Sequence, residues 1–291
     1  MRKSLRPLLA AAVFAGAALG SAAPAMAADP TGDYAQFKYC PYTNPAVVSC
    51  IVSKTTSGSF KLGNATVPIP ASNPITLQGG IPDAASGSTA FYPAVGADTL
   101  SKTKLQVPGG LLGLVDTGGF GGALITLFNN AVASVNDVYA TAEIVGAGSF
   151  NLNNVFAEDG IAVTLPLRVH LENPFLGSGC YIGSPSQPVL LKLTTGTTAP
   201  PGPNTPITGT AGAVSFNDAF TISTAAGIKL VDNAFAAPAA SNCGNTFLDK
   251  LLVTPAVNLK EGLPAAAGKN AAIMQGETKL GSKDAVVASI P

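Results

Sequence analysis

Three side chains suited to acid–base or ion-binding chemistry occupy alternate positions of one segment: Arg168, His170 and Glu172. Outside residues 1–27 they include the only arginine and the only histidine of the chain. Successive residues on one face of a strand lie about 6 to 7 Å apart, so these side chains can reach one another. The spacing indicates either a polar cluster for binding or proton transfer, or a solvated strand face with Pro166 marking an edge or bulge.

A second motif with catalytic precedent is the S-x-x-K formed by Ser101 and Lys104. In penicillin-recognising enzymes this serine opens a helix, and S-D-N and K-T-G motifs accompany it. Here the pair lies in a predicted strand and both companions are missing. No G-x-S-x-G, H-E-x-x-H, P-loop or dinucleotide motif occurs, and a single histidine cannot build a multi-histidine metal site. We expect no catalytic, cofactor-binding or metal-binding residue and keep a serine hydrolase as a remote alternative.

A sustained alternation of apolar and polar residues runs from 161 to 172, where every second residue from Ile161 to Leu171 is Ile, Val or Leu. A period of two predicts a strand with one buried and one solvated face. Residues 189–195 form a second strand pattern, and shorter ones recur between glycines and prolines. Such spacing is typical of sandwiches and barrels. We predict a mainly β fold, an antiparallel β-sandwich or barrel with one short helix.

Turn residues suggest how some of these strands connect. A hairpin is expected around Gly63, where two short apolar runs meet. A second hairpin is expected around Gly227, between strand patterns at 220–225 and 228–235. Residues 246–251 read as a short turn.

One apolar stretch, residues 109–135, departs from this pattern and carries a single charged residue, Asp116. Apolar residues recur within it at steps of three and four, which predicts a helix at 121–133. The alternatives are a membrane-touching hairpin, a pore element or the lid of a lipid pocket. We favour a helix that caps an open end of the β core, because the preceding glycines oppose a stable spanning helix.

Four cysteines fall outside residues 1–27: Cys40, Cys50, Cys180 and Cys243. An even number of cysteines in an exported chain indicates two disulfides. Three pairings are possible, and proximity in sequence favours Cys40 with Cys50 and Cys180 with Cys243. The closely spaced C-x-x-C pairs of zinc and redox sites are absent.

The first 27 residues have the composition of a signal peptide. Three basic residues precede an apolar run at 8–19, and Ala25-Met26-Ala27 provides the small-x-small cleavage pattern. We predict cleavage after Ala27, which leaves one β-rich extracellular domain, residues 28–291, with a Pro/Gly/Thr-rich loop at 195–212. No later run is long and apolar enough for an ordinary transmembrane helix. The expected location is secreted or at the cell surface.

Cleavage leaves a weakly acidic chain, since residues 1–27 hold three of the 16 basic and none of the 16 acidic residues, for a net charge of −3. Without a basic stripe, nucleic acid is not an expected partner. Charged residues make up 11% of the sequence, against roughly 25% in average globular domains. Weakly polar surface patches favour an envelope lipid, a glycan or a protein as partner.

Three segments carry a resemblance: LENPFLGSGCYIGS, LLKLTTGTTAPPGPNTPITG and VNLKEGLPAAAGKN. They resemble segments of exported actinobacterial β-rich proteins of uncharacterised function, in which a cysteine lies in a CYIGS-like turn and a Pro/Thr loop follows. The likeness extends from Ala140 onwards and includes the cysteine pair near the start. It implies export and a disulfide pattern, but no activity, cofactor or catalytic residue.

These features predict a secreted or envelope-associated, non-catalytic structural or binding protein of unknown ligand. An alternative is an outer-envelope lipid-binding carrier or pore-like protein that uses residues 109–135 to meet lipid. An enclosed apolar chamber inside the β core would favour the carrier, and a filled core would favour the structural role.

Overall fold

The computed structural model describes residues 28–115 and 135–291. The predicted signal peptide, residues 1–27, and the predicted helix at 121–133 lie outside these residues. The strands are β1 (Ser49–Leu62), β2 (Ala65–Pro68), β3 (Ile75–Ile81), β4 (Tyr92–Pro93), β5 (Leu105–Gln106), β6 (Tyr139–Ile144), β7 (Ser149–Phe150), β8 (Val163–Glu172), β9 (Tyr181–Ile182), β10 (Val189–Leu193), β11 (Ala213–Phe216), β12 (Ile222–Asp232), β13 (Ala240–Ser241) and β14 (Ala271–Ser282). The α-helices are α1 (Gly110–Leu114), α2 (Leu152–Ala157), α3 (Phe247–Glu261) and α4 (Lys283–Ala288), and two short 3-10 helices span Gly32–Phe37 and Ala84–Ser86.

The strands form two antiparallel sheets. In the first the order is β11-β12-β14-β1-β3-β4, with β2 also pairing with β1. In the second the order is β13-β9-β8-β6-β5, with β7 and β10 also pairing with β8. β8 therefore lies at the centre of the second sheet, and Pro166 does not mark a sheet edge. Pro166 falls between the residues of β8 that pair with β6 and those that pair with β7.

The main hydrophobic core lies between the sheets. Ile51 and Leu77 of the first sheet belong to the same buried cluster as Leu165 and Leu191 of the second. The predicted mainly β, antiparallel fold is confirmed. Its architecture is the sandwich, because the sheets do not close into a barrel.

A smaller core covers the other face of the first sheet. Alternation along β1 sends Ile51 into the main core, while Cys50 and Val52 point to the opposite side. There they pack with Phe37 of the N-terminal 3-10 helix and Val286 of α4. Both ends of the described chain are thereby held against this sheet.

The structure contains the two predicted disulfides in the pairing that sequence proximity favours. Cys40 and Cys50 are joined with a Cα–Cα distance of 5.4 Å, and Cys180 and Cys243 with a distance of 4.1 Å. The second disulfide links the approach to β9 with the segment after β13, and these two short strands pair with each other.

One of the two predicted hairpins is wrong. The hairpin expected around Gly227 is one continuous strand, β12, whose register shifts between Ala226 and Ile228. Gly227 has a φ of 73°, so it makes a bulge within the strand instead of a turn between two strands. The hairpin expected around Gly63 is present, between β1 and β2.

Where a short turn was expected near 246–251, the chain forms the long helix α3. Thr246 and Asp249 form a capping box at its start, and Gly262 ends it in the left-handed conformation.

The Pro/Gly/Thr-rich loop at 195–212 has no helix or strand of its own. The Asn204 side-chain amide fixes it by donating to the Asn233 and Asn270 carbonyl oxygens at 2.9 and 2.8 Å.

Candidate functional site

The predicted polar cluster is found on the outer face of the second sheet. The Arg168 guanidinium binds the Glu143 carboxylate of β6, with Nε and Nη2 at 2.8 and 2.6 Å from Oε2. The strand register places these two residues directly opposite each other. The guanidinium carbon also lies 4.2 Å from the centre of the Tyr181 ring. Arg168 is thus held by two residues of the same sheet, Glu143 and Tyr181.

Glu172, the acid of the cluster, is likewise occupied by neighbours. Its carboxylate accepts hydrogen bonds from the Lys104 ammonium and from the Thr141 hydroxyl, the latter at 2.6 Å. Burial opposes ionisation, but these two hydrogen bonds outweigh it and hold the pKa of Glu172 below its ordinary value. A carboxylate held in its charged form by a lysine is poorly suited to proton transfer near neutral pH.

His170 stacks on the Tyr181 ring, with ring centres 4.5 Å apart. Its Nδ1 lies 3.9 Å from Glu172 Oε1, which is too far for a hydrogen bond, and its buried Nε2 has no hydrogen-bond partner in the described part of the chain. The structure therefore brings the three predicted residues together, but as a paired network on the sheet surface. None of them lines the cavity inside the sandwich.

The S-x-x-K pair is not arranged for acyl transfer. The Ser101 hydroxyl accepts the Thr76 backbone N–H at 2.9 Å and hydrogen-bonds to the Thr103 hydroxyl at 2.8 Å. The Lys104 ammonium instead binds Glu172. Ser101 therefore has no base beside it among the described residues. Residues 101–104 form neither the strand predicted for them nor the helix that a penicillin-recognising enzyme needs there. Within residues 28–115 and 135–291, no three His, Cys, Asp or Glu side chains form a group that could hold a metal ion.

An apolar cavity lies between the two sheets. The volume of this cavity is about 60 Å³. The walls therefore lie close together, and an occupant must be slender or push them apart. The described lining residues are Phe60, Leu62, Ala65, Val67, Ile75, Ser101, Thr103, Leu105, Val107, Leu114, Ala140, Ala142, Leu167, Val169, Leu171, Ile182, Val189, Leu191 and Glu261.

Strand alternation explains why this cavity is apolar. On β8 the residues 167, 169 and 171 point inward and line it, while the polar residues 168, 170 and 172 face outward. Only Ser101, Thr103 and Glu261 of the described lining have polar side chains. The two hydroxyls hydrogen-bond to each other, and Thr103 also donates to the Pro74 carbonyl at 2.8 Å. Glu261 differs from these two, because one of its carboxyl oxygens has no hydrogen-bond partner among the described residues.

Glu261 is placed by the last turn of α3 and by the β1–β2 hairpin. The Asn64 backbone N–H donates to the Glu261 carbonyl at 2.9 Å, and the Asn64 side-chain amide donates to the Lys260 carbonyl at 2.8 Å. These bonds satisfy carbonyl groups that a helix end otherwise leaves unpaired. They fix the end of α3, and with it the Glu261 backbone, against the hairpin.

The Glu261 carboxyl is buried and incompletely satisfied. The residue is 4% exposed, and Oε2 has no hydrogen-bond partner among the described residues. Burial raises the pKa of Glu261 to about 7, although the nearby Lys260 ammonium and a hydrogen bond from the Ala65 backbone N–H favour the charged form. Near neutral pH this group therefore exchanges a proton readily.

A polar pocket adjoins the cavity at this point. Its described lining residues are Asn64, Ala65, Thr66, Val107, Pro108, Gly113, Lys260 and Glu261. Ala65, Val107 and Glu261 line both spaces. The site therefore has an apolar part inside the sandwich, a polar part at the surface, and Glu261 at the junction.

Part of the predicted apolar stretch 109–135 contributes to this site. Residues 110–114 form α1, and Leu114 lines the cavity. Residues 116–134 of the stretch lie outside the described residues.

The sequence analysis missed Glu261. The one sequence feature that could have indicated it is an acidic residue immediately before Gly262, a glycine of the kind that ends helices.

Comparison with protein-family models, with curated proteins and with solved structures finds no significant match to this chain. The resemblance to exported actinobacterial proteins therefore stays a prediction. Across residues 28–115 and 135–291, no helix has the length and hydropathy required to cross a membrane.

Proposed function

We propose that this protein is an exported, non-catalytic binding protein for an amphipathic ligand with a slender apolar chain. The observation that carries the proposal is the apolar cavity between the sheets, which shares Ala65, Val107 and Glu261 with an adjoining polar pocket. The chain of the ligand occupies the cavity between the sheets, and its head group lies in the polar pocket. It develops the carrier alternative from the sequence, but it places the ligand between the sheets. Of residues 109–135, Leu114 lines the cavity and Gly113 the polar pocket.

The energetics favour such a ligand. Each methylene moved from water into an apolar site contributes about 0.8 kcal/mol. Nearly all described side chains of the cavity are aliphatic or aromatic, so they cannot replace the hydrogen bonds of water or of a polar substrate. A narrow apolar space therefore favours an unbranched hydrocarbon chain over a polar or bulky ligand.

Binding of decanol tests this proposal. We expect saturable binding to residues 28–291 with both disulfides intact, followed by calorimetric titration. Ala142→Leu places a larger side chain in the cavity wall and weakens binding by about tenfold or more, equivalent to about 1.4 kcal/mol. Ala285→Leu is the matched control, because Ala285 is also half-buried but lies on α4, away from the cavity.

Binding that Ala142→Leu and Ala285→Leu affect equally would place decanol elsewhere and contradict the proposal. The absence of saturable binding to the native chain would also contradict it.

Export is part of the proposal. Two disulfides suit an oxidising compartment, and the charge and hydropathy of residues 1–27 suit a cleaved leader. We expect the exported protein to begin at Ala28, which amino-terminal sequencing of the protein recovered from culture medium or envelope will show. Recovery only from the cytoplasm, with Met1 or residue 2 at its start, would refute this part.

A further inference from the structure

The free oxygen of Glu261 points to the class of head group that the site accepts. Oε2 is buried, lacks a partner among the described residues and belongs to a side chain that lines both spaces. An unpaired buried polar atom is unfavourable unless another group satisfies it. A ligand whose chain fills the cavity brings its head group to this atom.

We propose that Glu261 recognises the head group by a hydrogen bond at Oε2, which accepts from the ligand hydroxyl when Glu261 is ionised, and that the ligand is a long-chain alcohol, selected over the fatty carboxylate of equal length. This inference rests on the proposed binding of an apolar chain. A hydroxyl both donates and accepts, so it pairs with the ionised or the neutral form of Glu261. A carboxylate only accepts, so it pairs with the neutral form alone.

Few other charges face this position. The end of α3 contributes Lys260, whose ammonium favours the ionised form of Glu261. The β1–β2 hairpin, β5 and α1 contribute no Asp, Glu, His, Lys or Arg to the described lining of either space. The Lys260 side chain lines the polar pocket and attracts an anionic head group, so selection against a carboxylate depends on the ionised form of Glu261.

A cationic head group suits the site less well than a hydroxyl. The Lys260 side chain lines the same polar pocket and repels an ammonium group. Transfer of an ammonium group from water into a mostly apolar site is also strongly unfavourable unless it is fully paired. An uncharged hydroxyl avoids both penalties.

The test compares decanol with decanoate at pH 6 and pH 8, either side of the Glu261 pKa of about 7. For the native chain we expect equal decanol affinity at both values. We expect decanoate affinity to fall by about tenfold from pH 6 to pH 8, because the neutral fraction of Glu261 falls by about that factor. In Glu261→Gln the fall in decanoate affinity should disappear. Glu277→Gln, which removes a more exposed carboxylate on β14, should behave like the native chain.

The outcomes separate the two proposals. If neither decanol nor decanoate binds the native chain at either pH, the proposed function is overturned and this inference with it. If decanol binds and Ala142→Leu weakens it, but decanoate shows the same pH dependence in Glu261→Gln as in the native chain, only this inference is overturned. Loss of the pH dependence in Glu261→Gln alone supports it.

Discussion

Replacing Cys180 and Cys243 with alanine lowers the free energy of unfolding by about 4 kcal/mol. This disulfide joins residues separated by 63 positions, so its loss releases a long loop in the unfolded chain. It also connects two segments on either side of the loop at 195–212, which contributes no strand to either sheet. Equilibrium denaturation in urea of the native chain and of the double variant measures the difference.

The double variant Cys40→Ala with Cys50→Ala is the matched control. Its disulfide closes a separation of ten residues, and the same loop-closure relation gives a loss of about 3 kcal/mol. A loss below about 1 kcal/mol in the Cys180 and Cys243 variant would be inconsistent with this entropic account. A larger loss in the control than in that variant would be inconsistent as well.

At pH 8 the Glu261→Gln variant is more stable than the native chain by about 3 kcal/mol. The pKa of Glu261 rises from an ordinary 4.5 to about 7 on folding, so the folded protein binds more protons than the unfolded chain between these values. Stability then falls as pH rises through this window, and the loss is complete above about pH 7. Below about pH 4.5 both states are neutral at this position and the difference between native and variant vanishes.

Urea denaturation at a series of pH values measures this effect. Burial also raises the pKa of Asp232, which acts in the same direction, but Asp232 is present in both chains and cancels in the comparison. Glu277→Gln is again the control, and we expect it to change stability by less than about 0.5 kcal/mol across the range. A stability difference between native and Glu261→Gln that does not depend on pH would show that Glu261 ionises normally.

Strand alternation suffices to predict the strand β8. Between residues 161 and 172 the apolar side chains fall on one face and the charged ones on the other, and a shift by one residue would bury Arg168 and Glu172. The same pattern predicts correctly that Arg168, His170 and Glu172 lie together. It cannot predict that Glu143 and Lys104 neutralise them, because those contacts depend on strand register and on a distant loop.

Two elements show where local patterns fail. Gly227 permits a tight turn or a bulge equally well, and pairing with β14 along its whole length keeps β12 as one strand. In α3, Pro255 and exposed apolar residues such as Phe247 and Leu251 hide the helical periodicity. Tertiary packing of Val253 and Val257 in the main core outweighs these local signals.

The cavity itself cannot be read from the sequence. Its lining comes from both sheets, α1 and α3, so residues as distant as Phe60 and Glu261 must first be brought together. Whether apolar residues fill a core completely or leave a space depends on side-chain packing, which composition does not determine. Glu261 gains its unusual chemistry only from this burial.

The most direct test of the central claim is to locate the chain of bound decanol by nuclear Overhauser contacts to methyl groups. We predict contacts to the methyls of Leu167, Val189 and Leu191, which line the cavity. We predict none to the Val286 methyls, which are buried in the smaller core on the far side of the first sheet. Contacts confined to exposed side chains such as Leu248 and Leu251 of α3 would place the ligand on the surface and contradict the claim that the sandwich encloses it.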